Sequence, residues 1–239
     1  MISIILPVYN EEDYIKSNTI KIMKEVEKLG NKYEILIVEE STDKTPQIAS
    51  ELSKKYKAIR HFHSSKRLGK GRAIEYGIKK ARGSKIVFMD IDISVDLSSL
   101  RPLLDKLDYY DVVVGSRYHP QSRTKRTLLR LILGRGYSIL PRRILGINAS
   151  DFQCGFKGFR KASARNSIKY TTSTGVFWDT EILFIAKNLG YKIGEIPINW
   201  VEKKTRSTQI SVKTIYTFAL SNIKLFFCGI LRSKRYGHL

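Results

Sequence analysis

The sequence has few cysteines, few acidic residues and no long apolar run. Cys154 and Cys228 are the two cysteines in 239 residues. They show neither Cys-x-x-Cys nor zinc-ligand spacing, so we expect no disulfide framework and no structural zinc. Because no stretch of about 18 uncharged apolar residues occurs, we expect no membrane-spanning helix. Ile2–Val8 follows Met1 directly, without the basic and small-residue regions of a signal peptide. Together these absences predict a cytoplasmic location.

The shortage of acidic residues leaves the chain strongly basic. It has 43 Lys and Arg residues against 22 Asp and Glu, which gives a formal net charge of +21. Such a charge predicts an anionic partner: nucleic acid, a phosphorylated substrate or an anionic membrane surface. The basic residues are dispersed, and the sequence has no aromatic RNA-binding signature or zinc finger, so we expect no nucleic-acid partner. A charge that serves only solubility is the alternative.

Apolar segments of strand character alternate with segments of helical periodicity. The predicted strands are Ile2–Val8, Tyr33–Glu39, Ile59–His63, Lys85–Met89 and Asp111–Gly115. The predicted helices are Asp13–Leu29, a helix that begins at Thr45 as its N-cap, Gly71–Ala81 and Leu100–Leu107. This order predicts an α/β fold over residues 1–211, with a mostly parallel central sheet and helices on both faces. Ligands of such sheets bind beyond the carboxyl ends of the strands.

Two carboxylates follow the apolar segment Lys85–Met89. Side chains two residues apart in an extended segment lie on the same face, so Asp90 and Asp92 are expected to point to one spot. Two such carboxylates repel unless a cation lies between them, and oxygen ligands suit Mg²⁺ or Mn²⁺. A polar strand end with two solvated aspartates is the alternative. For His61 and His63, which lack a third metal ligand, we expect a solvated strand edge.

Two segments of the second half combine basic and apolar residues. Arg126–Leu145 and Val212–Leu231 each carry an apolar face with Arg or Lys within or beside it, as interfacial amphipathic helices do. We expect residues 212–239 to form a basic amphipathic helix outside the catalytic domain, at a membrane surface. Each Lys or Arg near an anionic surface contributes about 1 kcal/mol to such binding. Ordinary core helices or a dimer interface are the alternatives.

Three short motifs follow one another in the first half of the chain. They are Pro7-Val-Tyr-Asn-Glu-Glu12, Val38-Glu-Glu-Ser-Thr-Asp43 and Asp90-Ile-Asp92. In this order they resemble the opening strand and loop, the Val-Asp-Asp-Gly-Ser-x-Asp segment and the metal-binding Asp-x-Asp of glycosyltransferase family two, which has the GT-A fold. The resemblance covers most of residues 1–208. The chain departs from the family at Glu39 and Glu40, which replace two aspartates, and the following glycine is absent. The choice between uridine and guanosine therefore stays open.

Five further segments narrow the resemblance. They are Leu68-Gly-Lys-Gly-Arg-Ala73, Gly115-Ser-Arg117, Asp151-Phe-Gln-Cys-Gly-Phe-Lys157, Trp178-Asp-Thr-Glu181 and Asn199-Trp-Val-Glu202. They are similar to segments of the dolichyl-phosphate glucosyltransferases, and the dolichyl-phosphate mannosyltransferases share much of this pattern. The resemblance implies an inverting, metal-dependent hexosyltransferase with a nucleotide-sugar donor and a polyprenyl phosphate acceptor. UDP-glucose is favoured over GDP-mannose. We expect peripheral attachment to the cytoplasmic face of a membrane, with a membrane subunit or a homodimer as candidate partners.

The resemblance assigns the donor to the first loops of the sheet. The residues expected to hold the nucleotide base and ribose are Pro7, Tyr9, Glu11, Glu39 and Glu40. Lys70, between two glycines, would reach the donor's phosphates as a point charge. Asp90 and Asp92 would hold the metal on the donor diphosphate, where it acts as a Lewis acid for the leaving nucleoside diphosphate. Outside this motif order, a helix-entry turn would be the preferred interpretation of the Lys70 segment.

The resemblance assigns the acceptor to cations. Arg117 is expected to bind the acceptor phosphate, with Arg130 as a second cation. A phosphate oxygen is already a nucleophile, so alignment matters more than a base, and Asp151 is expected to orient the sugar or the acceptor. The predicted catalytic residues are thus Asp90, Asp92, Arg117 and Asp151. The residues expected to contact sugar hydroxyls or shape the acceptor entrance are Gln153, Asp179 and Glu181.

Each acceptor-side residue has an alternative, and so does the activity. Arg117 could form an ion pair at a strand end, Asp151 could cap a turn, and the three further polar residues could be scaffolding. The same fold could also serve a glycan acceptor, although a sugar hydroxyl would demand an obvious catalytic base. The Glu39-Glu40 departure leaves open a relative that binds the donor without turnover.

Overall fold

The computed structural model describes residues 1–125 and 128–201. The predicted C-terminal helix of residues 212–239 and the boundary at residue 211 lie outside the described residues, so both stay predictions.

Strands and helices alternate along the described chain. The strands are β1 (Ile2–Val8), β2 (Tyr33–Glu39), β3 (Ile59–His63), β4 (Lys85–Met89), β5 (Val112–Ser116), β6 (Arg123–Lys125), β7 (Phe156–Arg160), β8 (Ile193–Pro197) and β9 (Asn199–Val201). The helices are α1 (Ile15–Glu27), α2 (Thr45–Lys55), α3 (Lys70–Lys80), α4 (Leu100–Lys106), α5 (Leu128–Leu145), α6 (Lys161–Ser167) and α7 (Trp178–Asn188).

Seven of the strands in residues 1–125 and 128–201 form one sheet, in the order β3-β2-β1-β4-β7-β5-β8. Neighbouring strands pair in parallel, except that β7 runs antiparallel to both β4 and β5. β6 and β9 pair in parallel as a separate ribbon. The predicted α/β fold with a mostly parallel sheet is therefore confirmed.

The sheet has an apolar layer on each face, because its central strands are apolar at nearly every position. Ile4 of β1 packs with Ile22 of α1 in one layer. Ile5, the next residue of β1, packs with Ile74 of α3 in the other. Such continuous apolar runs are typical of strands buried on both faces. Each fully buried side chain of this size contributes about 1.5–3 kcal/mol to folding.

The predicted elements up to Leu145 agree with the structure to within two residues at each end. The elements between Leu145 and Val201, and β6 before them, were not predicted. β7 shows why, because it contains a fully buried lysine, Lys157, and a glycine. Gly158 packs so closely on α4 that a Cβ there would lie 2.4 Å from Leu103 Cδ2. A strand without an apolar run gives no periodic signal.

The predicted N-cap role of Thr45 was wrong, although helix α2 does begin at this residue. Helix α2 begins at Thr45, but the side chain of Thr45 does not cap it. Asp43 Oδ1 accepts the Thr45 N–H at 2.9 Å, while Thr45 Oγ1 accepts the Glu11 N–H at 2.9 Å. The threonine hydroxyl therefore joins two loops instead of closing its own helix.

The helices of residues 1–125 and 128–201 include none that combines the length and hydropathy needed to cross a bilayer. Helix α5 is 18 residues long and contains Pro141.

Candidate active site

The loops that follow β1 and β2 are joined to each other. Asn10 has a left-handed backbone with φ of 52°. Its Oδ1 accepts the Thr42 N–H at 2.9 Å, and its own N–H donates to Ser41 Oγ at 2.9 Å. These bonds bring the segment with Pro7, Tyr9 and Glu11 next to the segment with Glu39 and Glu40. The predicted donor residues thus gather at the carboxyl ends of two adjacent parallel strands.

Glu39 turns towards the edge strand β3. Its Oε1 contacts His61 Nε2 at 2.9 Å and His63 Nδ1 at 2.7 Å, and its Oε2 accepts the Ser41 N–H at 2.8 Å. Burial would raise the pKa of Glu39, but the hydrogen bonds from His61, Ser41 and His63 outweigh it and hold the pKa below its ordinary value. β3 is an edge strand and His63 is 45% exposed, as expected for a solvated strand edge, but both histidines also contact the fully buried Glu39 carboxylate, a contact that was not predicted.

Glu40 turns the other way, towards the loop before α3. Its Oε1 pairs with Arg67 Nη1 at 2.8 Å, and its Oε2 accepts the N–H groups of Leu68 and of Gly69. The Arg67 guanidinium lies over the ring of Tyr9, 3.3 Å from the ring centroid. Sequence reasoning missed Arg67, although a cation just before the Gly-Lys-Gly turn could have indicated it.

Lys70 is the first residue of α3 and lies among carboxylates. Gly69 has a φ of 79°, and a Cβ there would lie 2.7 Å from the Thr174 carbonyl oxygen, so this turn requires glycine. Lys70 Nζ lies 2.9 Å from Asp90 Oδ1 and 3.6 Å from Asp179 Oδ2. Burial would lower the pKa of Lys70, but these two carboxylates raise it above its ordinary value. Lys70 is therefore a fixed positive charge.

Asp90 and Asp92 lie in the turn after β4. Strand β4 ends at Met89, so strand alternation is the wrong reason for their proximity. Asp92 accepts the Ser94 N–H at 3.0 Å and the Ser94 hydroxyl at 2.8 Å. A Cβ on Gly155 would lie 1.9 Å from Asp90 Oδ2, so Gly155 provides the space that Asp90 fills.

The surroundings of Asp90 favour a positive charge. Removal of water and the carboxylates of Asp92 and Asp179 raise the pKa of Asp90, against the opposing effect of Lys70. Within residues 1–125 and 128–201, no group of three or more His, Cys, Asp and Glu side chains is arranged to hold a metal ion. The role of Asp90 and Asp92 as metal ligands therefore stays a prediction.

Arg117 and Asp151, both predicted site residues, bind each other. Arg117 Nε and Nη2 donate to Asp151 Oδ2 at 2.6 Å and Oδ1 at 2.8 Å, and the Arg117 backbone N–H donates to Oδ2 at 3.0 Å. Burial opposes ionisation of Asp151, which is 1% exposed, but Arg117 holds the pKa of Asp151 below its ordinary value. Asp151 engages the Nε and Nη2 edge of the guanidinium, and Nη1 has no hydrogen-bond acceptor among residues 1–125 and 128–201. The strand-end ion pair weighed as an alternative for Arg117 is thus present.

Asp179 bridges two lysines. Lys157 is fully buried, and its Nζ lies 2.5 Å from Asp179 Oδ1 and 2.7 Å from the Cys154 carbonyl oxygen. The other Asp179 oxygen faces Lys70. Sequence reasoning gave Lys157 no role, because a charged residue inside a strand carries no signal of its partner. Burial raises the pKa of the neighbouring Cys154 thiol to about 12.

The remaining predicted acceptor residues hold neighbouring segments. Gln153 Nε2 donates to Thr180 Oγ1 at 2.9 Å. Glu181 is buried and accepts the N–H groups of Thr172 at 2.9 Å and Ser173 at 2.8 Å. This geometry suits the scaffolding alternative, and sugar contacts from either residue stay a prediction. Arg130 lies in α5, and its side chain is outside the described residues, so its role also stays a prediction.

Comparison with known proteins identifies the family. The family model described as Glycosyl transferase family 2 matches residues 3–167. The chain belongs to glycosyl transferase family 2. This family member is 34% identical over 208 residues to Glycosyltransferase AglD of Haloferax volcanii, a match that covers 84% of the chain and 33% of AglD. The chain thus spans about a third of that relative's length. It is 31% identical over 239 residues to Dolichyl-phosphate beta-glucosyltransferase of Saccharomyces cerevisiae, with 90% and 71% of the two chains covered.

Solved structures of low sequence identity share the fold of this family member. Glucosyl-3-phosphoglycerate synthase from Mycobacterium tuberculosis, solved with Mn²⁺, UDP and phosphoglyceric acid, gives a TM-score of 0.66 at 18% identity, with 96% of this chain and 78% of that chain covered. Mannosyltransferase PcManGT from Pyrobaculum calidifontis, solved with GDP-Man and Mn²⁺, gives 0.60 at 17% identity, with 100% and 76% covered. The predicted GT-A fold and the glycosyltransferase family are confirmed.

Proposed function

We propose that this glycosyltransferase moves a hexose, glucose rather than mannose, from a nucleoside-diphosphate sugar to a polyprenyl phosphate of the dolichyl class, with inversion at the anomeric carbon. The relatives from Saccharomyces cerevisiae and Dictyostelium discoideum that carry the name dolichyl-phosphate beta-glucosyltransferase support this choice, since each is 31% identical to the chain. UDP-glucose is the favoured donor, and GDP-mannose is the alternative.

One observation carries the proposal: Arg117, which is bound by Asp151, lies at the carboxyl ends of the parallel strands, as the proposed donor carboxylates do. β4 and β5 both run antiparallel to β7, so they run in the same direction. Asp90 follows β4, and Arg117 follows β5. A phosphate bound by Arg117 is thereby brought to the edge where Lys70 and Asp90 would hold the donor's diphosphate.

Asp90 and Asp92 fit a divalent cation shared with the donor. Both supply carboxylate oxygens, the ligands that Mg²⁺ and Mn²⁺ accept. Mg²⁺ is commonly held by one or two carboxylates and completed by substrate phosphates, which agrees with two protein ligands. Such an ion would stabilise the leaving nucleoside diphosphate as a Lewis acid. Lys70 would place a second positive charge on the same phosphates.

The acceptor side would work by orientation. A phosphomonoester carries a charge of about −1.5 to −2 near pH 7, so its oxygen attacks without a general base. Arg117 would bind this phosphate through Nη1, and Asp151 would fix the guanidinium in place. Because Asp151 already accepts two guanidinium N–H groups, we assign it to orienting Arg117 rather than to proton transfer. A single in-line displacement then inverts the anomeric carbon.

A lipid acceptor requires access to a membrane surface, and α5 offers one basic face. The exposed residues among its described side chains are Arg135, Gly136, Ile139, Arg142 and Arg143. Ile139 is 52% exposed. We propose that this face and residues 212–239 hold the protein peripherally on the cytoplasmic face of a membrane, alone, as a homodimer or with a membrane subunit.

The test is a donor and acceptor screen. Purified protein is incubated with UDP-glucose or GDP-mannose, Mg²⁺ or Mn²⁺ and a short polyprenyl phosphate, and the products are identified by mass. We expect polyprenyl-phosphate glucose from UDP-glucose. Product on free glycans alone would overturn the acceptor, product from GDP-mannose alone would overturn the sugar, and donor binding without any product would overturn the activity.

Arg117→Lys tests the acceptor role directly. Lysine keeps the charge but cannot bind Asp151 and a phosphate as a planar fork. We expect KM for the polyprenyl phosphate to rise about tenfold or more, while UDP affinity, measured by calorimetry, stays unchanged. An equal loss of donor affinity would contradict the role.

A further inference from the structure

Glu195 of β8 is hydrogen-bonded to the segment that carries Asp151, the partner of Arg117. β8 pairs in parallel with β5, and Glu195 lies opposite Val114. Glu195 Oε1 accepts the Ser150 N–H at 2.6 Å, the Ser150 hydroxyl at 2.9 Å and the Asp151 N–H at 3.2 Å. A single carboxylate oxygen thus holds the backbone of two consecutive residues, the second of which is the partner of Arg117.

These bonds place two carboxylates in series behind one guanidinium. Glu195 fixes the backbone that carries Asp151, and Asp151 fixes the side chain and the backbone N–H of Arg117. A bidentate arginine–carboxylate pair depends on the mutual orientation of two planar groups. A rotation of the Asp151 backbone would therefore turn the Nη1 edge of Arg117.

The neighbouring hydroxyls and an indole complete this frame. Ser150 Oγ lies 2.6 Å from Ser116 Oγ, which accepts the Tyr118 N–H at 3.2 Å, so Ser150 also ties the residues on both sides of Arg117. The guanidinium carbon of Arg117 lies 5.0 Å from the ring centroid of Trp200 on β9. Trp200 thus contacts Arg117 directly, whereas Glu195, five residues earlier in the sequence, reaches Arg117 through Asp151.

We infer that Glu195 is a positioning residue for acceptor binding: it fixes Asp151 so that Arg117 presents its Nη1 edge to the phosphate of the acceptor. The inference rests on the proposed function, which gives Arg117 that phosphate. The described contacts of Glu195 are with Ser150 and Asp151, and the donor loops after β1 and β2 are held by other bonds.

Glu195→Ala and Glu195→Gln test this role in the full-length protein. The alanine variant removes the oxygen that accepts from residues 150 and 151, whereas glutamine keeps an amide oxygen of similar reach. We expect KM for a short polyprenyl phosphate to rise about tenfold in the alanine variant, the size of one lost charge-assisted hydrogen bond. Glutamine should recover most of that loss, and UDP affinity by calorimetry should stay within about twofold of wild type in both variants.

Glu34→Gln is the matched control. Glu34 is a buried glutamate near the amino end of β2, whereas the candidate site lies at the carboxyl ends of the parallel strands. Glu34 accepts from Ser3 Oγ at 2.7 Å and from Arg60 Nη1 at 2.7 Å. Its substitution should lower the midpoint of thermal unfolding and leave the acceptor KM unchanged. An acceptor KM that rises equally in Glu34→Gln and Glu195→Ala would overturn the positioning role, as would an unchanged KM in a folded Glu195→Ala.

A spectroscopic measurement separates this inference from the proposed function. The Nε–H signal of Arg117, assigned by its absence in Arg117→Lys, reports the bond to Asp151 without any substrate. We expect protection of this proton from solvent exchange in wild type and Glu195→Gln, and at least about tenfold faster exchange in Glu195→Ala. Equal exchange in all three would overturn the inference. If wild type makes no glycolipid, the proposed function fails, and the exchange rates still decide whether Glu195 orients Arg117.

Discussion

The proposed donor side and the proposed acceptor side of the candidate site hold their charged groups in different ways. On the proposed donor side, Glu39 is the last residue of β2, and Glu40 and Asp90 directly follow β2 and β4. On the proposed acceptor side, Arg117 depends on Asp151, which is 34 residues away, and Ser150 depends on Glu195, which is 45 residues away. Arg117 also follows a strand end, so the proposed acceptor side differs in the two carboxylates, Glu195 and Asp151, that lie in series behind its guanidinium.

The contrast also concerns stability. Removal of one partner of a buried ion pair such as Lys157–Asp179 lowers the free energy of unfolding by several kcal/mol, because the other charge stays buried without a partner. Partly exposed groups that await a ligand can be changed at little cost to folding. Substitutions in the turn that contains Asp90 and Asp92 should thus lower turnover more than stability. Substitutions in the buried ion pairs should lower the free energy of unfolding more than turnover.

Asp92→Asn is expected to have the largest effect on turnover. Loss of one of the two proposed ligands would weaken the binding of the divalent ion, and kcat should fall about 1,000-fold. The midpoint of urea unfolding should hardly change, because asparagine still accepts from Ser94. Asp96→Asn is the control, since Asp96 caps the next turn through Ser98 N–H and asparagine also caps. Unfolding of Asp92→Asn at much lower urea would break the proposed contrast.

Lys157→Met should give the largest loss of stability. The side chain is similar in size, but Asp179 is left buried without its closest partner, which should cost about 3 kcal/mol of the free energy of unfolding. Urea denaturation measures the change. The double variant Lys157→Met with Asp179→Asn should recover part of it, because the uncompensated charge is gone. A double variant as unstable as the sum of both single changes would show that the pair is not coupled.

The cluster of Glu39 with His61 and His63 predicts a pH dependence. The pKa of Glu39 lies below its ordinary value near 4.5, so folding is stabilised by this group above that value and loses the contribution as pH falls through the lower folded pKa. Wild type should lose stability below pH 4.5 more steeply than Glu39→Gln. Urea denaturation of both proteins between about pH 6 and pH 3 measures the difference. Parallel curves would contradict the assigned ionisation.

Arg67→Ala should have the smallest effect. The Arg67 side chain is 58% exposed, and Glu40 keeps its two backbone N–H partners when the guanidinium is removed. The free energy of unfolding should therefore change by less than about 1 kcal/mol. Loss of the cation over Tyr9 should weaken UDP binding about two- to fivefold. Calorimetry with UDP checks this, and Lys66→Ala is the control for charge alone. Equal losses in the two variants would remove any special role for the stacked guanidinium.

The same contrast explains which features could be predicted. The apolar runs of β1, β2 and β4 identify buried strands, and the parallel order brings their carboxyl ends together, so Glu39, Glu40 and Asp90 could be placed at one edge from the sequence. The motif order led to Arg117 and Asp151, but local periodicity contains no information that these two residues bind each other. Lys157 and Glu195 were missed for that physical reason: their partners come from other strands and loops.

Side-chain direction was the other feature beyond reach. Glu39 and Glu40 are adjacent, yet one turns towards β3 and the other towards the loop before α3. Thr45 begins its helix as predicted, but its hydroxyl binds the Glu11 N–H instead of its own helix. Each outcome depends on which neighbour arrives within hydrogen-bond distance after the chain has folded.

The close packing of Asp90 against Gly155 links the proposed donor and acceptor sides through one short segment. The Gly155 carbonyl oxygen accepts the Asp90 N–H at 3.1 Å, and the carboxylate rests where any side chain on residue 155 would be. Asp151 lies four residues earlier in the same short stretch of chain. Residues 151–155 thus connect the partner of Arg117 to the glycine against which Asp90 packs. Any side chain at position 155 would therefore displace the Asp90 carboxylate from Lys70.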